Sequence, residues 1–271
     1  MKDLRCPLCK LVLQLNSQGL ACENRHQFDR AKEGYFNLLP VHHKHSREPG
    51  DAKEQLQARR QFLQAGFFSA LKMRLQELLP STTSTLLDIG CGEGYFTHAF
   101  AEALPHAHVY GVDIAKAGVK LAAKTALDKN RNVFAVASSF DLPFANESMD
   151  VITRIYAPSK EEELWRVIKP AGLLIIVAPA ANHLIGLRQR IYSDVRPHEE
   201  PVTPTGFQII SNERLTTDFT IHDKELCRAL LAMTPFAWRM TDQLRHQLED
   251  EGLKDVQDFS ISMYRRCQSF I

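Results

Sequence analysis

The sequence predicts an α/β domain with a parallel sheet and helices on both faces, preceded by a small metal-binding module. Three observations carry this reading. From Thr85 onward, apolar runs of strand length alternate with amphipathic helical stretches. A glycine-rich turn follows the first of those strands, and three cysteines and a histidine cluster near the amino terminus. With 44% hydrophobic and 24% charged residues among 271, the chain can bury a sizeable core without disulfides, and disordered, collagen-like and coiled-coil architectures are excluded. The longest apolar run, Leu173 to Ala181, falls short of the roughly 20 residues that span a bilayer. Met1 to Arg5 is followed by no apolar signal core, so a cytoplasmic protein is expected.

Residues 1–38 read as the small module. His42 to Lys53 is polar, contains Pro49-Gly50 and reads as a linker. Leu56, Phe62, Leu63, Phe67, Leu71, Leu75, Leu78 and Leu79 then recur with helical period, broken near Gly66 and ended by Pro80, which makes 39–80 a linker with helices. In 81–271, strands are predicted at Leu86 to Ile89, Val109 to Val112, Val133 to Ala137, Val151 to Ile155 and Leu173 to Val177. Helices are predicted between them at Tyr95 to Leu104, Lys116 to Leu127 and Lys160 to Ile168. The remainder reads as α+β, with strands near Asp218 to Ile221 and Asp258 to Met263 and helices over Lys224 to Met233 and Trp238 to Asp250. Phe236 and Trp238 are expected in the core.

The net charge of +1 is unevenly placed. Residues 1–60 hold eleven Lys and Arg against seven Asp and Glu, whereas the rest of the chain is net acidic. Positive charge at the amino end, with His42, His43 and His45, suits contact with a polyanion, and Arg25 and Arg30 are the expected phosphate contacts.

Cys6, Cys9, Cys22 and His26 follow the pattern C-x2-C-x12-C-x3-H. A two-residue gap lets both thiolates of one turn bind a single ion, and a second turn adds a thiolate and an imidazole, completing a tetrahedron with no place for water. The expected ion is one structural Zn2+ that substitutes for the core some 40 residues cannot build alone. The module is expected to be independent, so that losing the metal leaves cofactor binding by the large domain intact. Cys91, Cys227 and Cys267 lack such partners and read as apolar fillers.

After the first strand of the large domain comes Asp88-Ile89-Gly90-Cys91-Gly92-Glu93-Gly94-Tyr95. A dinucleotide fingerprint would need its third glycine at Tyr95, which argues against NAD. Asp113 ends the second strand, where a carboxylate can accept both hydroxyls of a ribose. With Asp141-Leu142-Pro143-Phe144 and Ser148-Met149-Asp150-Val151-Ile152 downstream, the region resembles the cofactor site of class I S-adenosylmethionine-dependent methyltransferases. That resemblance implies a Rossmann-like, seven-stranded mixed sheet, with Asp88, Gly90, Gly92, Gly94 and Asp113 at the cofactor. Ser138 and Ser139 stand where many relatives have Asp-Ala, leaving backbone near Phe140 for the adenine.

The fourth strand ends Arg154-Ile155-Tyr156-Ala157-Pro158-Ser159, with neither the Asn/Asp-Pro-Pro-aromatic run of exocyclic-amine methylation nor the Pro-Cys of cytosine-C5 chemistry. Attack by an oxygen or ring nitrogen remains. A further resemblance runs through His26-Gln27-Phe28-Asp29, Ala31-Lys32-Glu33-Gly34-Tyr35, Asn37-Leu38-Leu39-Pro40, Pro49-Gly50-Asp51, Ala58-Arg59-Arg60 and Met233-Thr234-Pro235-Phe236-Ala237-Trp238. Over nearly its whole length the chain resembles the bacterial 23S rRNA guanine-N1 methyltransferases, the branch acting on hairpin 35 near guanine 745. The resemblance implies a zinc module for RNA, a homodimer, and cofactor contacts from Phe68, Gly94, Tyr95 and His183. Arg154, Tyr156 and His183 become the candidate catalytic residues. Two rival readings stay open: a quinone-type small-molecule methyltransferase, which has no reason to carry a basic zinc module, and a non-catalytic zinc-dependent RNA-binding or ribosome-assembly protein, which has no reason to keep an intact glycine loop.

Overall fold

The computed structural model describes residues 3–40 and 53–268; His42, His43, His45 and the Pro49-Gly50-Asp51 turn lie outside the described residues. The chain begins with a small antiparallel sheet of β1 (Gln14–Leu15), β2 (Gly19–Ala21) and β3 (Gln27–Asp29), followed by β4 (Phe36–Asn37). Two helices, α1 (Lys53–Gln64) and α2 (Ser69–Glu77), bracket the break at Gly66. The alternating part then runs β5 (Thr85–Ile89), α3 (Tyr95–Ala103), β6 (His108–Asp113), α4 (Lys116–Thr125), β7 (Asn132–Val136), β8 (Met149–Ile155), α5 (Glu161–Val167) and β9 (Ile168–Pro179). It ends with α6 (Ile185–Ile191), β10 (Phe207–Ile221), α7 (Lys224–Met233), a 3-10 turn (Pro235–Arg239), α8 (Asp242–Glu251) and β11 (Leu253–Arg266).

The main sheet has the order β10-β11-β9-β8-β5-β6-β7-β4, parallel from β9 to β4 and antiparallel at β11 and β10. Every residue of the central strand β5 is buried, as a strand covered on both faces requires. The chain leaves β5 toward β6 and β7, then crosses back to β8 on the other side of β5. The carboxyl ends of β5 and β8 thus flank a topological switch point, where open α/β sheets bind ligands.

The sheet has eight strands, one more than expected. The extra strand, β4, belongs to the amino-terminal module: Phe36 and Asn37 pair in parallel with Ala135 and Val136 at the edge of β7. A two-residue strand carries no periodicity of its own, so only its partner reveals it. The module is not independent either. Leu4, Leu13, Leu20, Phe36 and Leu38 share one buried cluster with Leu87, Tyr110, Ile152 and Ile176 of the sheet. No helix joins β7 to β8, and on this face the module and α5 cover the apolar strand residues. Helices α1, α2, α3 and α7 cover the opposite face, around Phe62, Leu75, Phe100 and Leu230.

The carboxyl-terminal strands are much longer than expected. Fourteen register pairs join β10 to β11, from Phe207 opposite Arg266 to Ile221 opposite Leu253. Most of β10 is exposed, as befits an edge strand, and its polar stretch Ser211 to Arg214 hides the β signal from a reading of apolar alternation. Asp223 caps α7 by accepting from the Leu226 amide at 2.8 Å, and Thr241 caps α8 through the Leu244 amide at 3.2 Å. The 3-10 turn ahead of α8 puts Trp238 outward, 85% exposed, which overturns its expected core position. Phe236 is partly buried and borders the cleft described next. Among the described residues no helix is long and apolar enough to cross a membrane.

Candidate active site and zinc centre

The glycine turn after β5 is shaped by left-handed backbone. Gly90 has φ +75°, and a Cβ there would stand 2.3 Å from the Cβ of Ala157, so no side chain fits. Gly92 has φ +52°, and a Cβ there would meet no atom within 4 Å because it faces the open cleft. The turn is pinned by the Gly90 and Cys91 amides, which donate to the Val112 carbonyl at 2.8 and 3.0 Å. At the end of β6, Asp113 accepts from the Gly92 amide through Oδ2 at 2.9 Å and from the Ala115 amide through Oδ1 at 2.7 Å. These two amides fix the carboxylate at the strand end, beside the glycine turn.

Beneath the turn, the Asp88 carboxylate is buried and accepts from the hydroxyls of Thr97 and Thr153. Burial, with the nearby Asp113 charge, pushes its pKa up to about 7 despite those two donors. Glu93 lines the cleft, and its Oε1 is buried with no hydrogen-bond partner among the described residues; desolvation raises its pKa.

A cleft of about 550 Å³ opens along these strand ends. One half is bordered by Phe68, Asp88, the glycine turn, Tyr95, Asp113 and the Ser138 to Phe140 loop. The other half is bordered by Tyr156, Pro158, His183, His198 and Phe236. Tyr156 directly follows β8 with φ +54°, a conformation rarely adopted by a bulky residue, and is 46% exposed at the cleft. Desolvation and the Asp258 carboxylate raise its pKa, so the phenol keeps its proton. His183 is buried, its ring centroid 6.0 Å from that of Tyr156 and 5.2 Å from that of Phe259. Burial pulls its pKa down to about 4, leaving the ring neutral. His183 Nδ1 lies 3.1 Å from both the carbonyl oxygen and the amide nitrogen of Asp258. The backbone of Asp258 thus satisfies Nδ1 as donor or as acceptor, and fixes the ring in place in either tautomer.

The structure brings together at the cleft the sequence-expected cofactor residues Phe68, Asp88, Gly90, Gly92, Tyr95, Asp113 and His183, and two of the three candidate catalytic residues, Tyr156 and His183. Gly94 does not border the cleft but packs at φ +86° against His98 and Ala122, where a Cβ would stand 2.8 and 2.9 Å from their atoms. The structure does not bring Arg154. Alternation along β8 turns Arg154 to the opposite face from its cleft-bordering neighbours, where Nη1 donates to Ser159 Oγ at 2.9 Å. Sequence reading missed Glu93, Arg59 and His198 at the cleft. Glu93 was legible, since it lies inside the glycine turn; His198, in an irregular segment after α6, left no local signal. Arg188 brings His198 in by donating from its buried guanidinium to the carbonyls of Ala181, His183 and Arg196.

In the module, Cys6, Cys9, Cys22 and His26 converge with their ligand atoms all within 4.8 Å of one another. Cys9 and Cys22 sulfurs stand 3.6 Å apart, and His26 Nδ1 lies 3.4 and 3.5 Å from the sulfurs of Cys6 and Cys22. Metal bonds of about 2.0 to 2.3 Å give a tetrahedron with edges of roughly 3.4 to 3.8 Å, so the group fits one zinc ion. Two turns make this possible: the Lys10 amide donates to the Cys6 carbonyl at 2.8 Å and the Arg25 amide to the Cys22 carbonyl at 2.9 Å. Lys10 and Arg25 both have φ +62°.

Comparison with known proteins agrees with both sites. The zinc-ribbon family model described as RlmA, N-terminal, matches residues 4–47, and a methyltransferase-domain model matches residues 80–224. YxjB of Bacillus subtilis (strain 168), provisionally named a 23S rRNA (guanine-N(1)-)-methyltransferase, is 33% identical over 251 residues, covering 86% of each chain. The chain belongs to the 23S rRNA (guanine-N1)-methyltransferase family. The 23S rRNA (guanine(748)-N(1))-methyltransferase of Streptomyces fradiae is 29% identical over 270 residues, 94% of each chain. The solved YcgJ protein from Bacillus subtilis, at 20% identity and a TM-score of 0.50, covers 74% of this chain and 99% of its own and shares the fold. The fold of this family member is that of S-adenosylmethionine-dependent methyltransferases, and its Cys3His group is a zinc-ribbon site.

Proposed function

We propose that this protein transfers the methyl group of S-adenosylmethionine to N1 of a guanine in 23S rRNA, guanine 745 of hairpin 35, acting in the cytoplasm as a homodimer. In this reading residues 1–38 are the RNA-facing zinc module, 39–80 a linker with helices, and 81–271 the methyltransferase domain. The observation that carries it is the continuous cleft: a cofactor half built on the glycine turn opens directly onto a half bordered by Tyr156, His183 and His198, in a chain that also holds a zinc ribbon.

The residues present fit the cofactor. The Asp113 carboxylate, at the cleft wall, suits ribose hydroxyls, and the orphaned Glu93 Oε1 suits a cationic amino group. Phe68, Tyr95 and Phe140 border the same half with apolar rings. Bound S-adenosylmethionine supplies a methyl group on a sulfonium leaving group.

Guanine N1 carries a proton and sits on the Watson-Crick edge, so the base must arrive unpaired or flipped. As the N1–methyl bond forms and the sulfur–methyl bond breaks, the N1 proton must leave and negative charge develops toward O6. Tyr156 O–H, and His183 in its Nε2–H tautomer, are two donors able to hold that oxygen. They replace Arg154 in this role. His198 is the acceptor for the N1 proton: burial and the Arg188 charge lower its pKa, so the ring is neutral, and its Nε2 is buried without a partner among the described residues.

Methylation at N1 blocks base pairing, so reverse transcriptase should stop beside the modified guanine in rRNA from cells with the gene and read through after its deletion. A stop beside guanine 748 would favour the position named for the Streptomyces fradiae relative. A stop pattern unchanged by deletion would overturn the assignment.

A further inference from the structure

The loop that borders the adenine end of the cleft is gripped on both sides by the zinc module. Upstream, β4 pairs with the end of β7, and the Leu38 amide donates to the Val136 carbonyl at 2.9 Å, just before Ala137 and Ser138 enter the cleft wall. Downstream, Leu4 bridges to Phe144 in antiparallel fashion, both of them fully buried. The Arg5 amide donates to the Pro143 carbonyl at 2.9 Å, and the Ala145 amide donates to the Asp3 carbonyl at 2.7 Å. Between these two grips, Ser138, Ser139 and Phe140 face the cleft, and Asp141 receives Lys10 Nζ at 2.6 and 2.8 Å.

Lys10 and Arg5 are parts of the metal knuckle itself. Arg5 directly precedes the ligand Cys6, Lys10 directly follows the ligand Cys9, and the turn is closed by the Cys6 amide donating to the Leu11 carbonyl at 2.8 Å. Loss of the metal frees a turn that a tetrahedral ion otherwise holds, and with it the partners of residues 141–145. Helix α5 holds the same segment from another side, with Glu163 accepting from the Leu142 amide at 2.7 Å and Arg166 donating to the Leu142 and Phe144 carbonyls at 2.9 and 2.7 Å; the knuckle and α5 share the support, and only the knuckle's part depends on the metal.

We infer that the zinc-bound knuckle positions the cofactor loop, so that zinc and the adenosyl ligand bind cooperatively although they occupy separate sites. This rests on the reading of the cleft as the cofactor site. The coupling is carried mainly by the backbone pairing and by the Leu4 and Phe144 contact. The Lys10–Asp141 ion pair is half exposed, and such pairs contribute little, so its removal alone changes affinity by at most about fivefold. Lys10 is thus a positioning residue: its ammonium sets Asp141, and through it the neighbouring Phe140.

The experiment uses the full-length, zinc-loaded protein and S-adenosylhomocysteine as the probe in titration calorimetry. Stripping zinc with a chelator should weaken S-adenosylhomocysteine at least about tenfold, within the usual range of about 5- to 150-fold for coupled sites, and adding zinc back should restore it. Lys10→Met should weaken it two- to about fivefold with zinc retained, and Lys10→Arg should rescue it. Because coupling is reciprocal, saturating S-adenosylhomocysteine should raise zinc affinity by the same factor and so lower the equilibrium fraction of zinc transferred to a competing chromogenic chelator. Affinity for S-adenosylhomocysteine that ignores metal content, with zinc transfer unaltered by ligand, would overturn the coupling alone. Failure of the zinc-loaded protein to bind S-adenosylhomocysteine would overturn the cofactor reading and the coupling with it.

Discussion

Replacing Asp113 by alanine tests the cofactor site at the residue where two functions meet. Its carboxylate already holds the Gly92 and Ala115 amides, at 2.9 and 2.7 Å, and is proposed to accept from two ribose hydroxyls as well. Hydrogen bonds to a charged acceptor contribute about 1.5 to 3 kcal/mol each. Asp113 is only partly buried, so the low end applies, and two such bonds correspond to about 3 kcal/mol, or roughly 150-fold in affinity. Part of this is recovered as water returns to the vacated site, which leaves a loss of at least about tenfold. Stability should fall as well. Ala115 is buried, so its amide loses an acceptor that water cannot easily replace, at about 1 to 3 kcal/mol or several degrees of melting temperature. Titration calorimetry with S-adenosylhomocysteine and with its 2′-deoxy analogue separates a ribose contact from collapse of the glycine turn. The wild type should discriminate between the two ligands, and Asp113→Ala should not. A variant that binds S-adenosylhomocysteine within twofold of the wild type, or still discriminates the deoxy analogue, would refute the reasoning.

Three further outcomes are expected. Asp88 has a folded pKa of about 7, above its ordinary 3.8, so the folded state keeps a proton that the unfolded chain has already lost; ligand-free stability should fall as pH rises from about 4 to about 7, by up to about 4 kcal/mol, and level off above. His183 imposes the opposite slope, so the measurement is the difference in melting temperature between Asp88→Asn and wild type across pH 5 to 8, and a constant difference would sink this assignment. For His198, whose ring must be neutral to accept the N1 proton, single-turnover methyl transfer should fall below its lowered pKa, and His198→Gln should cut the rate by about 10²-fold or more while S-adenosylhomocysteine affinity holds; an undiminished rate would remove it as the base. On the RNA surface, Arg30 is engaged by the Gly34 and Lys129 carbonyls and the Phe36 ring, whereas Arg25 and Lys32 are exposed; Arg25→Ala with Lys32→Ala should flatten the salt dependence of RNA binding by about two phosphate contacts, and an unaltered slope would place the RNA elsewhere.

The features legible in the sequence are those whose chemistry lies within a few consecutive residues. Two short turns bring four metal ligands together whatever surrounds them, so C-x2-C-x12-C-x3-H announces the zinc centre. The glycine turn is a backbone shape that needs φ above zero at Gly90, Gly92 and Gly94, and it announces the cofactor end of the sheet. Alternation of apolar runs fixes the element order from β5 to β9, because burial on both sheet faces writes itself into each strand. In β10 that same logic fails, since an exposed edge strand carries no apolar pattern and its pairing with β11 is visible only from the partner.

Only the tertiary structure decided which side chains reach the cleft. Arg154 and Tyr156 are two residues apart, yet the chain turns left-handed at Tyr156 and carries it into the cleft, while Arg154 points to the far face of the sheet. His198 comes to the site through carbonyls held by Arg188, and β4 exists because β7 offers an open edge. The zinc module looks separable along the chain, but it covers a sheet face on which no helix follows β7, so its apolar residues belong to the core of the large domain. Local spacing determines which groups can bind a metal or turn around a nucleotide; contacts between residues a hundred positions apart determine what those groups face.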